Sequence, residues 1–189
     1  METPVLRGDE TPGIPTNAQV PLVLYFALLS ACFFYAPIAY VVAPLISIGE
    51  SFSPEQRNIL KLVLLGAGVL QLIAGFVVAH LNITPAGWDR TGGGGWERRP
   101  ERLKKGHSTD TAQSFLQKAF FGRVFLGLVI MEAAGIAGFL VVVLRLGATV
   151  GFVLIAVALL SMGAVLPRIL YIKETFRALR EIEAAEAEK

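Results

Sequence analysis

The chain has one cysteine, two histidines and little charge. A single cysteine, Cys32, excludes an internal disulfide and any cysteine-based zinc site. The two histidines, His80 and His107, are separated by a loop that offers no supporting ligands, so neither a metal nor a cofactor is expected. Charged residues fill only 17% of 189 positions, too few to cover a soluble domain of this length. A net charge of +2 gives no bulk reason to bind nucleic acid, and no such partner is expected. Catalytic patterns are missing too: there is no His-Glu-x-x-His, no Gly-x-Ser-x-Gly and no cluster of carboxylates. Cys32 has no basic neighbour in its own segment to activate its thiol. No enzyme is predicted.

What the chain does have is apolar length. Hydrophobic residues make up 54% of it, and they fall in four blocks, at 21–48, 59–81, 124–144 and 149–166. Crossing about 30 Å of hydrocarbon takes a helix of roughly 17–25 residues, and each block suffices. The runs are continuously apolar rather than alternating, which favours helices over barrel strands. Only Lys61, at the start of the second block, and Glu132, inside the third, carry charge there. The segment before the first block sets Arg7 against Glu2, Asp9 and Glu10, and the block exceeds a signal core of about 7–15 residues, so it reads as a retained span. Pro37 is expected to kink this span and Pro44 to end it.

Positive charge sets the orientation. Of the seventeen lysines and arginines, only Arg57, Lys61 and Arg145 fall on the side holding the first and third loops. The other fourteen lie in the N-terminal segment, the second loop and the tail. That asymmetry places both termini in the cytoplasm of a cell whose inner membrane holds the protein. The predicted architecture is all-α: an integral membrane four-helix bundle with a long cytoplasmic loop and an amphipathic C-terminal helix. Its parts are an N-terminal segment (1–20), a first transmembrane pair (21–81), a basic glycine-rich loop (82–109), a second pair with a cytoplasmic helical extension (110–167) and a helical tail (168–189).

The connections carry local signals. Ser53-Pro54-Glu55-Gln56 has the form of a capping box with proline at the first helical position. The run Gly92 to Gly95 lacks the Gly-Lys-Ser/Thr ending of a phosphate loop and reads as a flexible linker. Arg98, Arg99, Arg102, Lys104 and Lys105 follow it near the inner membrane face, where contact with anionic lipid headgroups or simple enforcement of topology accounts for them, with a specific protein or nucleic-acid partner as the remaining alternative. Trp88 is expected at the interface. Asp110 can cap a helix whose face carries Phe115, Leu116, Ala119 and Phe120. After Pro167, the residues Ile169, Ile172, Phe176, Leu179 and Ile182 form an apolar stripe that can pack on the loop helix, lie on the membrane or meet a partner.

Glu132 needs an explanation. It sits near mid-bilayer, where a charged side chain costs at least about 2.5–3.5 kcal/mol. Protonation, a polar partner or a watery cavity would relieve that cost. Ser30, Tyr35, Gln71 and Ser161 are the available polar partners, and Gln71 is preferred because it donates two hydrogen bonds. Two roles stay open: a packing residue, which is favoured, and a carrier of protons or ions with Glu132 and Gln71 as its site. Small residues surround it: Gly127, Ala133, Ala134, Gly135, Ala137 and Gly138. Gly66, Gly68 and Gly75 in the second block, and Gly147 and Gly151 in the fourth, are expected to let helices approach closely.

The stretch from Phe125 to Phe139, with Glu132 followed by a small-residue run, resembles the ion-binding helix of rotary ATP synthase proteolipids, the c-subunits. That resemblance covers about 15 residues and implies an ion-binding role for Glu132; the long loop and the glycine-poor preceding span depart from it. From Val20 to Lys173 the chain is similar to small bacterial four-span membrane proteins of no assigned activity, with Glu132, Ala133 and Pro167-Arg168 as matching positions. The expected role is that of an accessory or scaffolding subunit, in contact with membrane lipids and associating with itself or other membrane proteins. Ion translocation and lipid sensing through the basic loop are the alternatives.

Overall fold

The computed structural model of the protein describes residues 19–46, 51–81, 84–93, 95–98 and 111–188. Helix α1 spans Val20–Val42, with Pro21 in its first turn, where a missing backbone N–H costs nothing. It runs through Pro37 and tightens into a 3-10 turn over Ala43–Leu45 that contains Pro44. Helix α2, Pro54–His80, starts at the expected capping box: Gln56 N donates to Ser53 Oγ at 3.2 Å and Ser53 N donates to Gln56 Oε1 at 2.9 Å. Two short strands follow, β1 (Trp88–Arg90) and β2 (Trp96–Arg98), paired antiparallel with Asp89 opposite Glu97. Thr91 N donates to Gly95 O at 2.9 Å, which ties the two strands as a hairpin where the sequence suggests a flexible linker.

Helix α3 (Ala112–Leu116), a π-helical stretch (Gln117–Phe125) and helix α4 (Leu126–Val143) form one rod of 32 residues. Its cap is Thr111, whose Oγ1 accepts from Ser114 N at 3.2 Å; Asp110, the expected cap, lies outside the described residues. The π winding widens the turn. It brings Phe120 and Phe125, five residues apart, to a ring separation of 6.2 Å. Helix α5 (Ala148–Gly163) and helix α6 (Leu166–Ala187) meet at a two-residue turn followed by Pro167. Among the described residues the fold is all-helical apart from the hairpin. Four of its helical segments are long and apolar enough to cross a membrane: Val20–Leu45, Pro54–His80, Ala112–Val143 and Ala148–Ala187.

Helix α4 is the hub, packed by α1, α2 and α5. Glycine sets two of these contacts. A Cβ built on Gly127 would lie 2.6 Å from Gly75 O, and one on Gly138 would lie 2.8 Å from Gly151 O. Only hydrogen fits at such a backbone-to-backbone approach. Gly66, expected to share in this packing, faces open space. Gly147 plays a different part from the one expected: it precedes α5 with φ +151°, beside the Lys61 ammonium.

The core of the bundle continues without a break to the hairpin, α3 and α6. Trp88, Trp96, Phe115, Leu116, Phe120, Ile169, Ile172, Phe176 and Leu179 are buried together. The stripe on α6 thus packs against α3 and the π-helical stretch, the first of its three options. Trp88, expected at the interface, is buried under Arg98. Helix α6 also binds this region through its carboxylates. Glu183 Oε1 accepts from Ala112 N at 2.8 Å, and Glu186 pairs with Arg98 at 2.9 Å. By contrast, the outward faces of α1, α2 and α5 carry large exposed apolar side chains such as Phe33, Leu62 and Leu160.

Candidate functional site

The polar centre of the bundle is built by α1 and α4. Cys32 and Tyr35 lie three apart on one face of α1, and Glu132, Gly135 and Phe139 recur on the facing side of α4. Gly135 lets α1 come close, since a Cβ there would lie 2.8 Å from Cys32 Sγ and 3.3 Å from Tyr35 Cδ2. The Tyr35 ring then leans on Phe139, with centroids 5.9 Å apart, and its hydroxyl donates to Glu132 Oε1 at 2.8 Å. Tyr35 and Glu132 are both half-buried; Cys32 is a free, fully buried thiol. Hydrogen bonding by an O–H to a carboxyl oxygen removes part of the cost of holding that group among apolar side chains.

The sequence favours Gln71 as the partner of Glu132, yet the bond comes from Tyr35. The reason is steric. Gly75 draws α2 onto α4 at Gly127 and Met131, Gly68 seats it against Leu154 of α5, and Gln71 lies between the two glycines with its amide oxygen buried and without a hydrogen-bond partner. Tyr35, set opposite Gly135, has a long rigid side chain that reaches the carboxyl. His80 sits nine residues beyond Gln71, about 13 Å along the helix, and so lies apart from this site. There its ring stacks on Phe76 at 4.0 Å and its Nδ1 lies 3.0 Å from Phe76 O.

Of the basic residues assigned to lipid headgroups, Arg98 is half-buried, paired with Glu186 and stacked over Trp88 at 4.8 Å. Arg99, Arg102, Lys104 and Lys105 lie outside the described residues. Two other arginines, given no structural part by the sequence pattern, act as clamps between helix ends. Arg145 Nε and Nη2 each donate at 3.1 Å, to Ala43 O and Pro44 O, closing the end of α1. Arg145 has φ 54°, a left-handed conformation uncommon outside glycine. At the other end of the bundle, Arg168 Nη2 donates to Leu81 O at 2.8 Å and closes α2. Their only sequence signal is position, just past the third and the fourth apolar block.

Among the described residues, no group of three or more His, Cys, Asp or Glu side chains is placed to hold a metal ion. No family model matches the chain, and no curated protein or solved structure matches it either.

Proposed function

We propose that the protein is a non-enzymatic integral protein of the cytoplasmic membrane, with both termini inside, that serves as an accessory or scaffolding subunit of a membrane assembly. The observation that carries this reading is the use made of Glu132. Its carboxyl bonds Tyr35 and so joins α1 to α4, in a bundle whose outer faces expose Phe33, Leu62 and Leu160. A hydrocarbon environment accommodates such faces, whereas water does not. The charge asymmetry supports the orientation. The ordered region of hairpin, α3 and α6 supports a role in holding partners on the inner side.

The second reading is proton or ion translocation, in which Glu132 would take the part that the resemblance to proteolipids implies. The half-burial of Glu132 favours it, because a carrier must exchange its ion with a neighbouring phase. Lipid sensing through Arg98 to Lys105 is a third. In-cell cross-linking with mass spectrometry tests the first reading: a reproducible adduct with a membrane protein, or with a second copy, is expected. Recovery of the chain free of any adduct would overturn it.

A further inference from the structure

Side chains step by about 100° per residue around a helix, so the contacts of α4 assign its faces. Gly127 and Met131 meet α2 at Gly75, Gly138 meets α5 at Gly151, and Gly135 meets α1 at Cys32 and Tyr35. The remaining face lies between the α1 side and the α2 side. It presents Val129 and Ile136, exposed by 39% and 41%, together with Leu126 and Leu140. Glu132 stands at the α1 edge of this face, half-buried, with Oε1 taken by Tyr35. Val129, Glu132 and Ile136 recur at i, i+3 and i+7, the spacing of a helix–helix seam.

We infer that this face receives a second copy of the chain, α4 against α4 across a two-fold axis, with the two Glu132 carboxyls hydrogen-bonded to each other. This rests on the assembly reading above and names its interface. Lipid tails cannot satisfy a carboxyl group, so the exposed side of Glu132 needs a polar partner. A neutral carboxyl is both donor and acceptor. It is therefore complementary to itself, which a two-fold interface demands of any group near its axis. Tyr35 occupies Oε1 and leaves Oε2 to meet its counterpart across the axis. Ala133, beside the seam, keeps the surface low enough for a close approach. A carboxyl pair at this depth also fixes the register of the two helices, because a slip of one turn would return each group to hydrocarbon.

The test uses the full chain in lipid vesicles with its only cysteine replaced, Cys32→Ser. Val129→Cys and Ile136→Cys are each introduced and oxidised, beside Leu62→Cys and Leu160→Cys on the outer faces of α2 and α5. Covalent dimer is expected from 129 and 136 and not from 62 or 160. Glu132→Gln, whose amide is likewise donor and acceptor, should keep the dimer. Glu132→Leu should weaken it roughly fivefold to thirtyfold in dissociation constant. Tyr35→Phe breaks the bond within one copy but leaves the seam intact, so it should retain the cross-link and separates loss of interface from damage to the protomer. Cross-linking from 62 or 160 in place of 129 and 136 overturns the interface. A chain that yields no cross-link at 129 or 136 but stays in a larger assembly in cells overturns this interface alone; a chain that is monomeric in both settings overturns the assembly reading with it.

Discussion

Tyr35 and Glu132 are ninety-seven residues apart in the chain and joined by a 2.8 Å hydrogen bond between α1 and α4. If the bond serves packing, Glu132→Gln should leave thermal stability in detergent nearly unchanged, since the amide oxygen still accepts from Tyr35. Glu132→Leu should cost roughly 1–2 kcal/mol by stranding the Tyr35 hydroxyl. Adding Tyr35→Phe to Glu132→Leu should recover part of that loss, because both polar ends are then gone. Proton flux in vesicles separates this from a carrier. Flux in the wild type that disappears in Glu132→Gln would establish translocation, because an amide cannot release a proton.

The glycines make a sharper contrast. Gly127→Ala would drive a methyl group to within 2.7 Å of the Ala79 methyl and 2.6 Å of Gly75 O, so α2 would have to move. Overpacking of this kind costs typically about 1–3 kcal/mol. Gly66→Ala meets nothing within 4 Å and should be neutral or slightly stabilising, since alanine favours the helix. Unfolding midpoints of the two variants, measured in one detergent, decide it. Equal effects would mean that the close contact between Gly75 and Gly127 does not hold the bundle.

Helix number, helix class and the capping box at Ser53 were readable because each rests on local chemistry: apolar length, and a hydroxyl three residues before an amide. The partner of Glu132 was not readable. Tyr35 and Gln71 are equally polar in a sequence, and only the close approach at Gly135 decides which one reaches the carboxyl. The hairpin is hidden in the sequence for a similar reason. A run of glycines carries no side chain to signal a strand, and what orders the turn is Trp88 and Trp96 packing into the core beneath α6. The apolar stripe on α6 was legible as a stripe, but its partner was not, since amphipathicity states that a face is covered and not by what.

Orientation is the next expectation. Reporter fusions at Gly95 and after Lys189 should report cytoplasm, and a fusion after Gly49 should report the opposite side, following the distribution of positive charge. The clamp between Arg168 and Leu81 ties the start of α6 to the end of α2, so the tail and the hairpin loop should share one side whichever way the bundle is inserted. Opposite locations for Gly95 and the C-terminus would therefore contradict the fold as well as the orientation.

The last expectation concerns the basic segment. Arg98 is shared between Glu186 and the Trp88 ring, and a part-exposed ion pair of this kind is worth about 0–1 kcal/mol. Attraction to an anionic lipid surface is of similar size, about 1 kcal/mol per basic residue near it. Lipid contact, if it occurs, should then depend on Arg99, Arg102, Lys104 and Lys105 more than on Arg98, which already has an acidic partner. In the full chain, Arg98→Gln should shift the tryptophan emission, because Trp88 loses its cover and both tryptophans of the protein lie in the hairpin. Replacing the other four by Gln should leave that emission alone and weaken association of a loop peptide with anionic vesicles. Binding of the unaltered peptide should fade as salt rises, since exposed charges are screened beyond about 8–10 Å. Equal binding to neutral and anionic vesicles would remove the electrostatic account of these residues and leave them the single task of setting topology.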